Sequence, residues 1–163
     1  MALSNEILGF AAEIVDHLRQ RGETISTAES LTAGSVSSAI VTIAGASDVF
    51  VGGTTAYRDE IKVSHLNVDP ALIQKHTVIS EEVAVAMAKG AITSFGTTWG
   101  IGTTGVAGPN PLDGYPVGVV WVAIEGPISH TIELALSGDR ESVRNAATSS
   151  AIATFARILR HRS

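Results

Sequence analysis

Residues 27–40 read TAESLTAGSVSSAI. A short β-prone run, Thr24–Thr27, gives way there to a small, apolar, helix-compatible segment, Leu31–Ile43. Glu29, Ser30, Thr32 and Gly34 crowd the junction. Two readings fit it. Ser26-x-x-Glu29 has the spacing of a capping box, and Ser30 can cap a helix as well. Alternatively, Ser30 is an exposed nucleophile on a strand-to-helix turn. Free N–H groups there would hold an oxyanion or a phosphate, and Gly34 would let a ligand approach the backbone.

The same alternation continues along the chain. Residues 4–21 place Ile7, Leu8, Ala11, Ile14, Val15 and Leu18 on one helical face, between Ser4 as a cap and Gly22 as a stop. Val49–Tyr57 reads as a strand, with Gly52-Gly53 marking a bulge or a close backbone approach. Arg58–Leu66 is helical, and Asp69-Pro70 opens a short helix. Ser80–Phe95 is a capped helix ended by Gly96. Thr97–Thr103 is a strand that runs into a glycine- and proline-rich loop reaching to about Pro116. Val117–Glu125 and Ser129–Leu136 read as an antiparallel pair, and Asp139 caps a long last helix. Strands alternating with helices, closed by a hairpin and a helix, predict a single three-layer α/β/α domain over residues 1–163, with a mixed, mainly parallel sheet. Ligands gather at strand C-terminal ends in such sheets. The 27–35, 57–62 and 103–110 stretches all follow strands, so they are expected at one edge.

Composition narrows the function. Eleven Lys and Arg against 16 Asp and Glu leave a net charge of −5. No basic stripe is available for a nucleic-acid backbone. With no cysteine, disulfides, thiolate zinc sites and thiol nucleophiles are excluded. No apolar run reaches the about 20 residues needed to cross a bilayer, and no basic leader precedes the first helix. The chain is expected in the cytoplasm, free of nucleic acid and membrane. P-loop and G-x-S-x-G patterns are both absent.

A nucleophilic serine needs a base. None of the five histidines stands in a catalytic-looking loop. Lys62, one of three lysines, follows the strand that carries Gly52-Gly53; burial lowers a lysine pKa enough for such a role. Taken alone, a helical lysine reads equally as a solvated surface group. Thr104, Gly105 and Gly108 are candidate ligand contacts after a strand. Arg140 stands in the first turn of the last helix, where cations are disfavoured, and shares a face with Arg144. Together they suit a phosphate, or they pair with surface acids.

In sequence order, AESLTAGSVSSAI, TAYRDEIKVSHLNV, HTVISEEVAVAMAKGA, TTGVAGPN, YPVGVVWVA and SGDRESVR resemble six blocks of the CinA C-terminal domain family, the nicotinamide-nucleotide amidases. Those blocks are A-E-S-x-T-G-G, T-Y-S-N-E-A-K…L-G-V, H-G-A-V-S-E-E-V…M-A-x-G-A, S/T-G-I-A-G-P-x-G, K-P-V-G-T-V-W-x-A and S-G-D-R…V-R. The resemblance implies hydrolysis of the carboxamide of nicotinamide mononucleotide to nicotinic acid mononucleotide and ammonia, with no cofactor and no metal. It implies Ser30 as nucleophile and Lys62 as base, acting directly or through Tyr57. The oxyanion would sit on N–H groups at the start of the following helix or in the 104–108 loop. Thr32, Gly34, Thr104, Gly105 and Gly108 become expected substrate contacts, and Arg140 and Arg144 the expected phosphate ligands.

Three departures from the family pattern stand out. Ala33 replaces the first glycine of a pair, with a methyl expected to narrow the approach to the ligand. Asp59 replaces an asparagine. PNPLDGYPVG lacks a glycine run and has Tyr115 where the pattern has lysine. The alternative is a non-catalytic nucleotide-binding or partner-binding domain of the competence/damage-inducible type. A symmetric homodimer is expected of a small α/β enzyme.

Overall fold

A computed structural model describes residues 2–162. The elements are α1 (Asn5–Arg21), β1 (Ile25–Glu29), α2 (Ser35–Val41), a 3-10 turn (Ala46–Asp48), β2 (Phe50–Thr55), α3 (Asp59–Leu66), α4 (Pro70–His76), α5 (Glu81–Phe95), β3 (Trp99–Gly105), β4 (Val119–Glu125), β5 (His130–Ala135) and α6 (Arg140–His161). Punctuation residues act as the sequence predicts. Ser4, Asp69, Ser80 and Asp139 each accept a backbone N–H in the first turn of their helix, a cap that contributes about 1 kcal/mol. Gly22 and Gly96 end α1 and α5 in the left-handed conformation.

The sheet order is β2-β1-β3-β4-β5. β1 pairs in parallel with β2 and β3; β3-β4 and β4-β5 are antiparallel. The mixed sheet is therefore evenly divided between the two ladder types. α1, α2 and α6 cover one face through Ile14, Leu18, Ile40, Val143 and Phe155. α3, α4 and α5 cover the other through Leu66, Leu72, Val83 and Met87. The helices pack close because the sheet is lined with small residues. A Cβ on Gly100 or Gly102 would run into the α5 backbone at Ala88 or Ala84. Gly52-Gly53 marks both features expected of it. The register of β2 skips Val51 opposite Ile25–Ser26. A Cβ on Gly52 would meet the Phe95 ring, and one on Gly53 the Thr27 hydroxyl.

The opening stretch folds differently from a simple helix start. β1 runs on through Glu29, so Ser26 and Glu29 lie in a strand and form no capping box. α2 begins at Ser35, not Leu31, and has no side-chain cap from its own N-cap residue, Gly34. Residues 30–34 are turn. Ser30 continues the ladder one step, its N–H donating to Thr103 O at 3.0 Å.

Candidate active site

Three connections leave the same edge of the sheet: the 30–34 turn after β1, the 56–58 link after β2, and the 106–118 loop between β3 and β4. The parallel β2-β1-β3 ladders bring them together, and Ala56 N–H donates to Glu29 O at 2.8 Å, closing β2 onto β1 beside Ser30.

Glu29 fastens the turn. Its buried carboxylate accepts from the N–H groups of Gly34 (3.0 Å), Val36 (3.0 Å) and Ser37 (2.8 Å) and from the Ser37 hydroxyl (2.8 Å). It thus satisfies the orphan donors of α2 from a strand, which a capping box does from the helix itself. Those N–H groups are consequently not open to an oxyanion, contrary to one of the two placements the sequence suggested. From the other side, Arg144 Nε donates to Leu31 O at 2.8 Å and its terminal nitrogen to Thr32 O at 3.4 Å.

Lys62 comes from the first turn of α3 and is folded back toward β1. Its side chain is 2% exposed. Nζ lies 3.2 Å from Ser30 Oγ, 2.9 Å from Ala56 O and 3.2 Å from Tyr57 O. A neutral amine has two N–H bonds and one lone pair. The two carbonyls take the N–H bonds, and the lone pair is left facing the Ser30 hydroxyl. Burial pushes the Lys62 ammonium below the ordinary lysine range; the Asp59 carboxylate, 3.7 Å away, opposes that shift.

Tyr57 joins the site differently from the expectation of a proton relay. Its main-chain carbonyl holds Lys62, whereas its hydroxyl accepts from Arg140 at 2.8 Å. Arg140 also donates to Gly108 O, so it spans the opening between the 56–58 link and the 106–118 loop. A cavity of about 350 Å3 lies beneath, walled by Ser30, Leu31, Tyr57, the 105–112 segment and Arg140. A second, of about 470 Å3, is lined by Ser35, Arg140, Glu141, Arg144 and Asn145; Arg140 lines both.

The other expected contacts divide. Gly105 and Gly108 line the first cavity. Thr32 and Thr104 do not: the Thr32 hydroxyl pairs with that of Thr103 at 2.8 Å, and Thr104 donates to Val78 O at 2.6 Å, both buried. Gly34 serves the turn, with φ 95° at the N-cap of α2. Ala33 adopts φ 49° and is exposed. Its methyl does not narrow the cavity; the glycine of the family pattern matters for backbone conformation instead. Sequence reasoning singled out the 103–110 loop and the PNPLDGYPVG stretch but named neither Leu31 nor Pro109, Pro111 and Leu112 as cavity-lining residues, since apolar side chains carry no chemical signature of a site.

The family model described as "CinA C-terminal domain" matches residues 8–159. The chain belongs to the CinA C-terminal domain family. Relatives of the CinA domain include a CinA-like protein of Synechococcus sp. (strain RCC307), 45% identical over 72% of this chain and 28% of that protein. Another is a putative competence-damage inducible protein of Lysinibacillus sphaericus (strain C3-41), 44% identical over 82% of this chain and 32% of that protein. The chain thus spans about a third of the length of these curated relatives. Among solved structures, the competence/damage inducible protein CihA from Agrobacterium tumefaciens superposes with a TM-score of 0.92, at 28% identity, over 99% of this chain and 100% of that one. The competence damage-inducible protein A (ComA) from Klebsiella pneumoniae gives 0.91 at 30% identity, over 96% and 99%. These CinA-superfamily structures share the mixed five-stranded sheet with helices on both faces. No helix of this CinA domain, among the described residues, is long and apolar enough to cross a membrane.

Proposed function

We propose that this CinA domain acts as one unit over residues 1–163 and hydrolyses the carboxamide of nicotinamide mononucleotide, giving nicotinic acid mononucleotide and ammonia. The observation that carries the proposal is the buried Lys62 Nζ within hydrogen-bond reach of Ser30 Oγ, with Ala56 O and Tyr57 O as its other partners. Ser30 attacks the amide carbon while neutral Lys62 takes its proton. The oxyanion is held by main-chain N–H groups at the cavity wall, Leu31 and Ala107 being candidates that spend no hydrogen bond among the described residues. As the C–N bond breaks, Lys62 passes the proton to ammonia and an acyl-Ser30 ester remains. Water then attacks the ester, Lys62 takes a proton from it, and Ser30 is regenerated with the carboxylic acid product. Arg140, with the second cavity beside it, is the proposed phosphate ligand.

Ammonia release from nicotinamide mononucleotide, measured for wild type and Ser30→Ala side by side, tests this. Wild-type activity reduced about a thousandfold or more in the variant is the expected outcome. Equal rates in both proteins overturn the mechanism. The second reading, nucleotide binding without turnover, is favoured by the exposed apolar lip around Leu112. It predicts a thermal shift with the nucleotide and no ammonia from either protein.

A further inference from the structure

Lys62 is the one buried cation of the site, and both of its protonation states are well housed. As an ammonium it has three acceptors for three N–H bonds: Ser30 Oγ, Ala56 O and Tyr57 O. As an amine it has two acceptors and a hydroxyl to receive from. Neutral hydrogen-bond partners alone therefore do not choose the resting state. Burial favours the amine, and the one influence in the site that opposes it is a neighbouring charge. Asp59 lies at the first position of α3, one turn before Lys62, with Oδ1 3.7 Å from Nζ.

The remaining charged groups around Lys62 are committed elsewhere. Glu29, on β1, is spent on the α2 donors. Arg58 pairs with Glu60. Arg140 holds Tyr57 and Gly108, and Arg144 holds Leu31 and Thr32. His76 of α4 faces Glu82 of α5. β2 carries no charged residue, and the buried residues of α5 against α3 are Val83, Met87 and Ala91. We propose that Asp59 is a positioning residue for the base, holding resting Lys62 in its charged form and so setting the pH below which Ser30 is not activated. This rests on Lys62 being the base proposed above. Asp59 is 58% exposed, so it acts through charge at the rim of the site and not through buried packing.

Two measurements on Asp59→Asn separate this proposal from the amidase mechanism. The first is the pH profile of kcat/KM for ammonia release. Its acid limb moves to lower pH in the variant, with a several-fold gain on the acid side of the wild-type limb. A variant that is merely destabilised loses activity at every pH instead. The second needs no turnover: NMR titration of Cε in 13C-lysine-labelled protein. Only Lys62, Lys75 and Lys89 contribute signals, and Lys62→Met assigns the relevant one. The Lys62 signal titrates at lower pH in Asp59→Asn than in wild type. Coincident titrations overturn the role of Asp59. A shifted titration in a protein that releases no ammonia upholds the role of Asp59 and overturns the amidase mechanism.

Discussion

The turn after β1 and the loop after β3 face each other across one cavity, yet they are held in opposite ways. Around the 30–34 turn a buried carboxylate and a half-buried guanidinium pin the backbone: Glu29 accepts from the N–H groups of Gly34, Val36 and Ser37, and Arg144 donates to the carbonyls of Leu31 and Thr32. The loop backbone instead bonds mainly to itself, as between Leu112 and Tyr115 and between Val106 and Gly118. Gly108 O is held by the exposed Arg140, and the lip at Pro109, Pro111 and Leu112 is apolar and open. The proposed nucleophile, Ser30, sits on the first side, where a positional error of an ångström would be costly to catalysis. In the proposed function, recognition falls to the loop side, through Arg140 and the open lip. The hydroxyls do not share this contrast: those of Thr32 in the turn and Thr104 at the end of β3 are both turned inward into internal hydrogen bonds.

Breaking the turn side has the largest expected effect. Glu29→Ala strands the α2 donors in a buried place, with an expected loss of about 3 kcal/mol or more in urea unfolding. If its stability matches that of wild type, the turn is not held by Glu29.

The two arginines sharpen the contrast. Arg144→Ala is expected to lower stability by roughly 1–2 kcal/mol, since two carbonyls lose a charged donor. Arg140→Ala is expected to leave thermal unfolding almost unmoved and to raise KM for the mononucleotide about tenfold or more. Reversed roles in these two assays would place recognition in the turn.

Backbone strain gives smaller gains. Thr77, in the position of the glycine of H-G-A-V, has φ 66°, and its buried hydroxyl has no partner among the described residues. Ala33 has φ 49°. Thr77→Gly is expected to stabilise by about 1–2 kcal/mol and Ala33→Gly by about 0.5–1 kcal/mol, both read by denaturant midpoint. No gain in either shows that the positive φ costs nothing here.

Lys62→Met has the smallest net effect at neutral pH, because relief of a buried charge offsets the carbonyls left unpaired. Its signature is a slope. Folded Lys62 loses its proton below the ordinary lysine value of about 10.4, so between the two values the unfolded chain holds more protons. Wild type therefore gains stability relative to Lys62→Met as pH rises through that window. The contribution is complete above it and lost as pH falls through the folded value. Parallel stability curves from neutral to alkaline pH would show that Lys62 is not desolvated.

Much of this was written into local sequence. Caps at Ser4, Asp69, Ser80 and Asp139, stops at Gly22 and Gly96, and alternation of strand and helix all act within a few residues, so periodicity and turn chemistry reveal them. The pairing of Ser30 with Lys62 came from blocks matched to a family, since a lysine in a helix carries no local mark of burial. The start of α2 was misplaced for a physical reason. Ser26 and Glu29 have capping-box spacing, but neighbours on both sides draw them into the sheet, and tertiary pairing outweighs a weak local preference.

Residue order alone determined the layered fold, the strand ends where a site belongs and the types of group available to it. Folding in three dimensions decided which groups face the cavity. The hydroxyls of Thr32 and Thr104 went to internal hydrogen bonds and the α2 donors to Glu29, Arg144 both braces the turn and lines the second cavity, and Lys62, Ser30 and Arg140 converged from three separate segments. A polar group's partner is whatever the packed chain brings within about 3 Å, and across 32 residues from Ser30 to Lys62 no local pattern encodes that distance.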